Sequence, residues 1–199
     1  QANGAESLQA YADHLVTDPD EVATLRRELL IPVTRFFRDP DAFVALRDAL
    51  VTMLRDRESE PDRTLRCWVT PCSTGEEAYS IAMMLLELID EHAPGTDLKL
   101  FATDVESSYL DRASAGVYST EQVASIPAEH RDRWFDELDT DTWRVRPVLR
   151  QKIVFSRHDL LSDAPFTQLD LVSCRNLLIY LRAAAQDRAV RRLSYGLRP

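Results

Sequence analysis

The chain has 199 residues, 45% of them apolar and 29% charged, enough to bury one ordinary core and unlike the composition of a disordered segment. Its formal net charge of −9 argues against nucleic acid as a general partner, because phosphate binding wants clustered Lys and Arg. No apolar run approaches the ~20 residues of a membrane span, and the start QANGAESLQAYADH has neither the basic nor the apolar part of a signal peptide.

Residues 6–16 read as a short helix. Asp18-Pro19 then reads as an N-cap followed by proline at N1, with Glu21 placed to complete a capping box. The helix after it carries Val22, Leu25, Leu29 and Leu30 on one face. IPVTRFFRD has no clear period; Asp39-Pro40 repeats the cap-and-proline signal and opens a helix with Phe43, Leu46, Leu50, Met53 and Leu54 at helical spacing. Past the polar stretch 55–63 the pattern changes. LRCWVT reads as a buried strand, PCSTGEE as a turn, AYSIAMMLLELIDEH as a strong helix, and LKLFATD as a second strand ending at Asp104. Helices are expected near Ser107–Ser114 and Pro127–Phe135. TWRVRPVLRQKIVF alternates and reads as a small strand pair whose last part runs into a third core strand ending near Asp159. LDLVSC is a fourth strand, RNLLIYL a loop turning into helix, and AAAQDRAVRRLSYGL a final helix.

Alternating, continuously apolar strands and helices imply an α/β fold with a parallel sheet covered on both faces. Ligands of such sheets sit at the carboxyl ends of the strands, near the point where strand order reverses. The segment Cys72–Glu77, Asp104, the surroundings of Asp159 and the segment Cys174–Asn176 are therefore expected on one rim.

Each polar group there has a bland reading beside a chemical one. CSTGEE is neither GxGxxG nor a P-loop, which weighs against a dehydrogenase or an NTPase. Its two glutamates would repel phosphate and suit a cationic ligand, or they are first-turn acids favoured by the helix dipole. Asp104 holds a ribose or caps a helix. Arg38 clamps a carboxylate or covers apolar surface with its stem. Tyr180 taken alone is an ordinary half-buried tyrosine. Cys67, Cys72 and Cys174, without CxxC spacing, read as plain thiols of a reducing, cytoplasmic compartment, and no metal is implied.

Taken in order and spacing, TRFFRDPDAF, WVTPCSTGEEAYSIAMML, FATDV, LDRASAGVYS, FSRHDLL and DLVSCRNLLIYL resemble the CheR family of chemotaxis-receptor methyltransferases, from about Leu29 to Pro199. The resemblance implies a Rossmann-like class I methyltransferase that uses S-adenosylmethionine, releases S-adenosylhomocysteine and esterifies glutamate side chains on the cytoplasmic helices of chemoreceptors. Residues 1–30 would be the remnant of the family's N-terminal helical domain and 31–199 the methyltransferase domain, with a small β-subdomain inserted at about 137–155. Matched position by position, Thr34, Arg38, Glu77, Asp104, Asp159, Leu160, Cys174 and Arg175 fall on cofactor-contacting positions. Glu77 takes the amino group, Asp104 the ribose, and Asp159 with Leu160 the adenine; Arg38 and Tyr180 face the transferred methyl. The alternative is a non-catalytic module of a larger regulator that binds S-adenosylmethionine or its product.

Several features depart from the family pattern. Pro32 stands where some members have a cofactor-contacting asparagine, and Asp159 where many have asparagine. Residues 1–30 are acidic, which leaves the basic stretch Arg144, Arg146, Arg150, Lys152 and Arg157 as another surface for an acidic partner, or as a solvated ribbon. The short acidic DELDTDTW loop points to an enzyme independent of a receptor C-terminal pentapeptide. Relative to a full class I sheet, about three strands after the last helix are expected to be missing, which would leave LDLVSC at an edge.

Overall fold

Backbone hydrogen bonding follows the expected alternation. The computed structural model describes residues 7–29, 34–56 and 64–198, in two units, Gln1–Val33 and Thr34–Pro199.

The first unit contains α1 (Leu8–Thr17) and α2 (Pro19–Leu29). Ser7 caps α1 by accepting from the Ala10 N–H, and the Asp18 carboxylate accepts from the N–H groups of Asp20 and Glu21 at 3.0 and 3.1 Å. The capping box is not closed. Asp18 donates its own N–H to the His14 carbonyl, and the Glu21 carboxylate accepts from the Tyr11 hydroxyl at 2.7 Å. Of the expected apolar face, Val22 is exposed and Leu25 half-buried; Leu30 and Pro32 lie outside the described residues.

The second unit begins at Thr34. Helix α3 (Pro40–Asp56) buries Phe43, Leu50 and Leu54, with Leu46 and Met53 half-buried beside them. The main sheet has β1 (Thr64–Val69), β2 (Asp97–Asp104), β6 (Ile153–Arg157) and β7 (Leu171–Ser173), all parallel, in the order β6-β2-β1-β7. Strand side chains alternate between two apolar clusters, as a strand's period of two requires. Leu65, Cys67, Val69, Leu98, Leu100 and Ala102 join α3 and α4 (Glu76–His92). Trp68 and Phe101 join Leu160, Leu169 and Ala189 of α9 (Ala183–Gly196) on the opposite face. A sheet covered on both faces is the reason its strands read as unbroken apolar runs.

Between β2 and β6 lie α5 (Ser107–Ala115), β3 (Val117–Ser119), α6 (Thr120–Val123), α7 (Ala128–Trp134), β4 (Phe135–Asp139), β5 (Thr142–Val145) and α8 (Pro147–Arg150). The small antiparallel sheet is β3-β5-β4. It therefore draws on residues 117–145, whereas the alternation had suggested a strand pair within 142–155. Pro147 sits at N1 of a one-turn helix that buries Leu149, which interrupts the alternation, and the residues from Ile153 onward pair with β2. The basic stretch is largely engaged within the chain. Arg146 pairs with Asp136 at 2.9 Å and Lys152 with Asp97 at 2.6 Å, while Arg150 donates to Ser114 and to the Ile153 carbonyl. No described helix is long and apolar enough to cross a membrane.

Candidate active site

Strand β1 lies between β2 and β7, so the strand order reverses there. The turn leaving β1 is thus flanked by the carboxyl ends of both neighbours. The turn is tight: Ser73 has φ 48° and Gly75 has φ 100°. A Cβ on Gly75 would lie 2.8 Å from the Tyr118 hydroxyl and 2.9 Å from the Ala113 Cβ, so both the conformation and the space call for glycine.

One cluster forms around Glu77 in the first turn of α4. Its Oε1 accepts from the Ser173 hydroxyl at 2.6 Å, and the Arg175 Nη1 lies 3.6 Å from Oε2. Burial raises its carboxyl above the ordinary glutamate value, against the opposing pulls of Ser173, Arg175 and Arg38. The segment carrying Arg38 is fastened on both sides. The Phe37 N–H donates to the Ser80 hydroxyl at 2.9 Å, and Arg175 Nη2 donates to the Arg38 carbonyl at 3.0 Å and the Asp39 carboxylate at 2.6 Å. Thr34, half-buried, opens this segment, and both Phe37 and Asp39 have positive φ.

A second group surrounds a cavity of about 200 Å³ whose lining includes Thr70, Asp104, Val105, Asp159, Leu160 and Leu177. Asp104, 6% exposed, accepts from the N–H groups of Ser73 and Glu106 at 2.8 and 3.0 Å. Burial raises its carboxyl despite those hydrogen bonds. It does not cap α5; Glu106 does, accepting from the Ser108 N–H. Asp159 accepts from the Leu161 N–H at 2.8 Å, and Leu160 is buried.

Cys174 is half-buried against the Trp68 cluster, its thiol pushed up to about 11 by burial and then by Glu77, so it stays a neutral thiol. Tyr180 lies on a single 3₁₀ turn, Leu178–Tyr180, and is 77% exposed. Of the nine residues expected at the site, Arg38, Glu77 and Arg175 meet in one cluster, and Asp104, Asp159 and Leu160 line one cavity.

The two adjacent acids separate. Glu77 joins the Arg38–Arg175 cluster, while Glu76, 2% exposed, accepts from the Thr74 hydroxyl at 2.7 Å and the Gln122 amide at 3.3 Å. Ser173, Asp39 and Ser73 escaped the sequence reading. Ser173 and Ser73 each neighbour a residue singled out there, whereas the role of Asp39 depends on a contact 136 residues away. A larger cavity of about 460 Å³, lined by Arg35, Phe36, Phe37, Phe43, Pro127 and His130 among others, has no carboxylate among its described lining residues to meet a cation.

A family model described as CheR methyltransferase, SAM binding domain, matches residues 32–199. A protein of Rhodobacter capsulatus described as an uncharacterized 104.1 kDa protein in the hypE 3' region is 45% identical over 191 residues, covering 96% of this chain and 20% of its own length. The chemotaxis protein methyltransferase of Listeria monocytogenes is 37% identical over 193 residues, covering 94% of this chain and 69% of that one. Chemotaxis protein methyltransferase 2 of Pseudomonas aeruginosa is 34% identical over 199 residues, covering 97% and 68%. This chain thus spans a fifth of the first relative and about two thirds of the other two.

Proposed function

The chain belongs to the CheR methyltransferase family, whose S-adenosylmethionine-binding domain model it matches over 32–199, and on that premise we propose that it transfers a methyl group to glutamate side chains of chemoreceptors. The observation that carries the reading is the pairing of a half-buried acid, Glu77, held beside Arg38 and Arg175, with the Asp104–Asp159–Leu160 cavity on the same sheet rim.

The donor set fits such a cofactor. Glu77 offers a negative charge whose burial is relieved by an ammonium group. The Asp104 carboxylate accepts from the backbone N–H groups of Ser73, Glu106 and Val105, which orient it and still leave acceptor capacity for a ribose hydroxyl. Asp159 and Leu160 offer an acceptor and an apolar wall for the base, and we assign the cofactor's remaining contacts to Thr34, Cys174 and Arg175. When bound, S-adenosylmethionine supplies an already activated methyl group. A substrate carboxylate is ionised at about pH 7 and needs no general base. What remains for the protein is alignment. Arg38, its backbone gripped by Arg175, orients the incoming carboxylate, and the exposed Tyr180 hydroxyl supports it from the open side.

The substrate is the acidic, glutamate-bearing helical region of a chemoreceptor, and recognition is independent of a receptor C-terminal pentapeptide. The outer strand β4 carries Asp136, Glu137 and Asp139, which would repel an added peptide strand ending in a carboxylate. We propose the same division for this chain, a helical segment at 1–30 followed by the methyltransferase domain at 31–199, in a cytoplasmic setting.

Calorimetric titration tests the reading. S-adenosylmethionine and S-adenosylhomocysteine should bind and NAD should not; binding of NAD alone would overturn it. Transfer of labelled methyl to receptor glutamates separates an enzyme from a binding module. Tight binding of the pentapeptide would sink the claim of independence.

A further inference from the structure

Glu76 takes no part in the chemistry above, yet it is a nearly fully buried carboxylate one residue from the cofactor-facing acid. Its surroundings form a chain of hydrogen bonds running away from the rim. The Thr74 hydroxyl donates to Glu76 Oε2 at 2.7 Å, and the Gln122 Nε2 donates to Oε1 at 3.3 Å. Gln122 Oε1 accepts from the Ser119 N–H at 3.0 Å, and Ser119 Oγ accepts from the Gln122 N–H at 3.3 Å, which closes a capping box on α6. In parallel the Tyr118 hydroxyl donates to the Thr74 carbonyl at 2.7 Å. The Ser119 N–H can only donate, so it fixes the Gln122 amide with its NH₂ toward Glu76. Both ends of the chain are therefore defined. One is the turn that supplies the Ser73 N–H to Asp104 and leads into Glu77; the other is the β3–α6 edge of the insert.

We infer that Glu76 is a positioning residue: by joining Thr74 to Gln122 it locks the insert onto the β1–α4 turn and sets the placement of Glu77 and Asp104 toward the cofactor. The inference rests on the proposed cofactor site. Burial raises the Glu76 carboxyl against the hydrogen bonds from Thr74 and Gln122 and the attraction of the Arg112 guanidinium. The lock is specific in hydrogen-bond direction as well as in charge. Glu76→Gln keeps the size and lets the new amide oxygen accept from Thr74, but it points an NH₂ at the Gln122 NH₂. Gln122→Glu places two carboxylates about 3.3 Å apart. Together the two changes restore a donor facing an acceptor, and a glutamate at position 122 still accepts from the Ser119 N–H, since either Glu or Gln closes a capping box.

The test is calorimetric titration of S-adenosylhomocysteine into the wild type, E76Q, Q122E and E76Q/Q122E, with thermal unfolding of each. E76Q should bind about tenfold more weakly, the scale of one mismatched buried polar pair. Its KM for S-adenosylmethionine should rise while kcat at saturation stays near wild type. Q122E should lose at least as much, and the double variant should return to within about twofold of wild type. Single variants that bind like wild type, or a double variant showing the sum of the two losses, overturn the inference alone. A wild type that binds no S-adenosylhomocysteine overturns the inference together with the cofactor reading.

Discussion

The sheet rim and the small antiparallel sheet are held together in opposite ways. At the rim, side chains reach across long sequence separations: Ser173 to Glu77 spans 96 residues, Arg175 to Asp39 spans 136 and Ser73 to Asp104 spans 31. In the small sheet the strands are joined by their backbone ladder and by the burial of Tyr118, Phe135 and Val145, and four of the five residues of the outer strand β4 are exposed. A site assembled from distant side chains loses its geometry when one of them is removed. A backbone ladder with an open edge tolerates the same change.

The sharpest way to break this contrast is Arg38→Ala. The Arg38 carbonyl would still accept from Arg175, so the segment should keep its path while the orienting guanidinium is lost. Methyl transfer should fall about 100-fold in kcat, the scale of a misaligned reacting pair, with S-adenosylhomocysteine binding much less affected. Unchanged turnover in a radiolabelled methyl-transfer assay on folded protein would remove Arg38 from the site. Next comes Glu77→Gln. It keeps the Ser173 hydrogen bond but removes the negative charge beside Arg175 and Arg38, while Arg175 retains its pairing with Asp39. Affinity for S-adenosylhomocysteine should drop about 30-fold, the lower range for removing one partner of a buried charge pair. Equal affinity by calorimetry would mean that the ligand's amino group lies elsewhere.

The same contrast governs what the sequence disclosed. Strands β1 and β2 were legible because two-sided burial leaves nearly continuous apolar runs, β6 and β7 from short apolar stretches although Val154 is exposed and β7 half-buried, and the rim followed because polar residues stand at their ends. Local pattern alone did not separate Glu76 from Glu77; only the family resemblance singled out Glu77. Adjacent helical residues point about 100° apart, and only the positions of Gln122 and Ser173 show which one faces the cavity side. Asp39 read as a helix-opening residue, and nothing local reveals that its carboxylate meets Arg175. The small sheet was placed too late in the chain because β3 is three residues long and β4, FDELD, lacks alternation. The alternating residues 142–155 are instead divided between two sheets by the helical turn at Pro147.

Acidity gives a graded version of the Glu77 experiment. Only the ionised carboxylate attracts the ligand's ammonium group, and burial raises the Glu77 carboxyl above its ordinary 4.5. Binding should therefore be fullest at about pH 7 and above and weaken as pH falls, at a higher pH than an exposed glutamate would show. The loss stays smaller than that of E77Q until the group is fully protonated, and E77Q itself should lack this dependence. The ligand-free fold should respond with the opposite sign. Glu76, Glu77 and Asp104 all hold their protons more tightly folded than unfolded, so their contribution to stability improves as pH falls through the window above their ordinary values. An affinity that weakens with falling pH no more than that of E77Q would contradict the assignment of Glu77.

The smallest effect belongs to the far edge of the small sheet, and it limits how far the coupling extends. Asp136 on β4 pairs with Arg146 at 2.9 Å, and both side chains are well exposed, 53% and 40%. An exposed pair of this kind contributes about 0–1 kcal/mol, so Asp136→Ala should lower the unfolding midpoint by only a degree or two. The hydrogen bonds that tie the insert to the rim leave from Tyr118 and Gln122, on β3 and α6, with β5 standing between them and β4. Affinity for S-adenosylhomocysteine should then change less than about twofold in D136A, against about tenfold in E76Q. A comparable loss in D136A would mean that the whole small sheet, and not only its inner edge, moves with the rim.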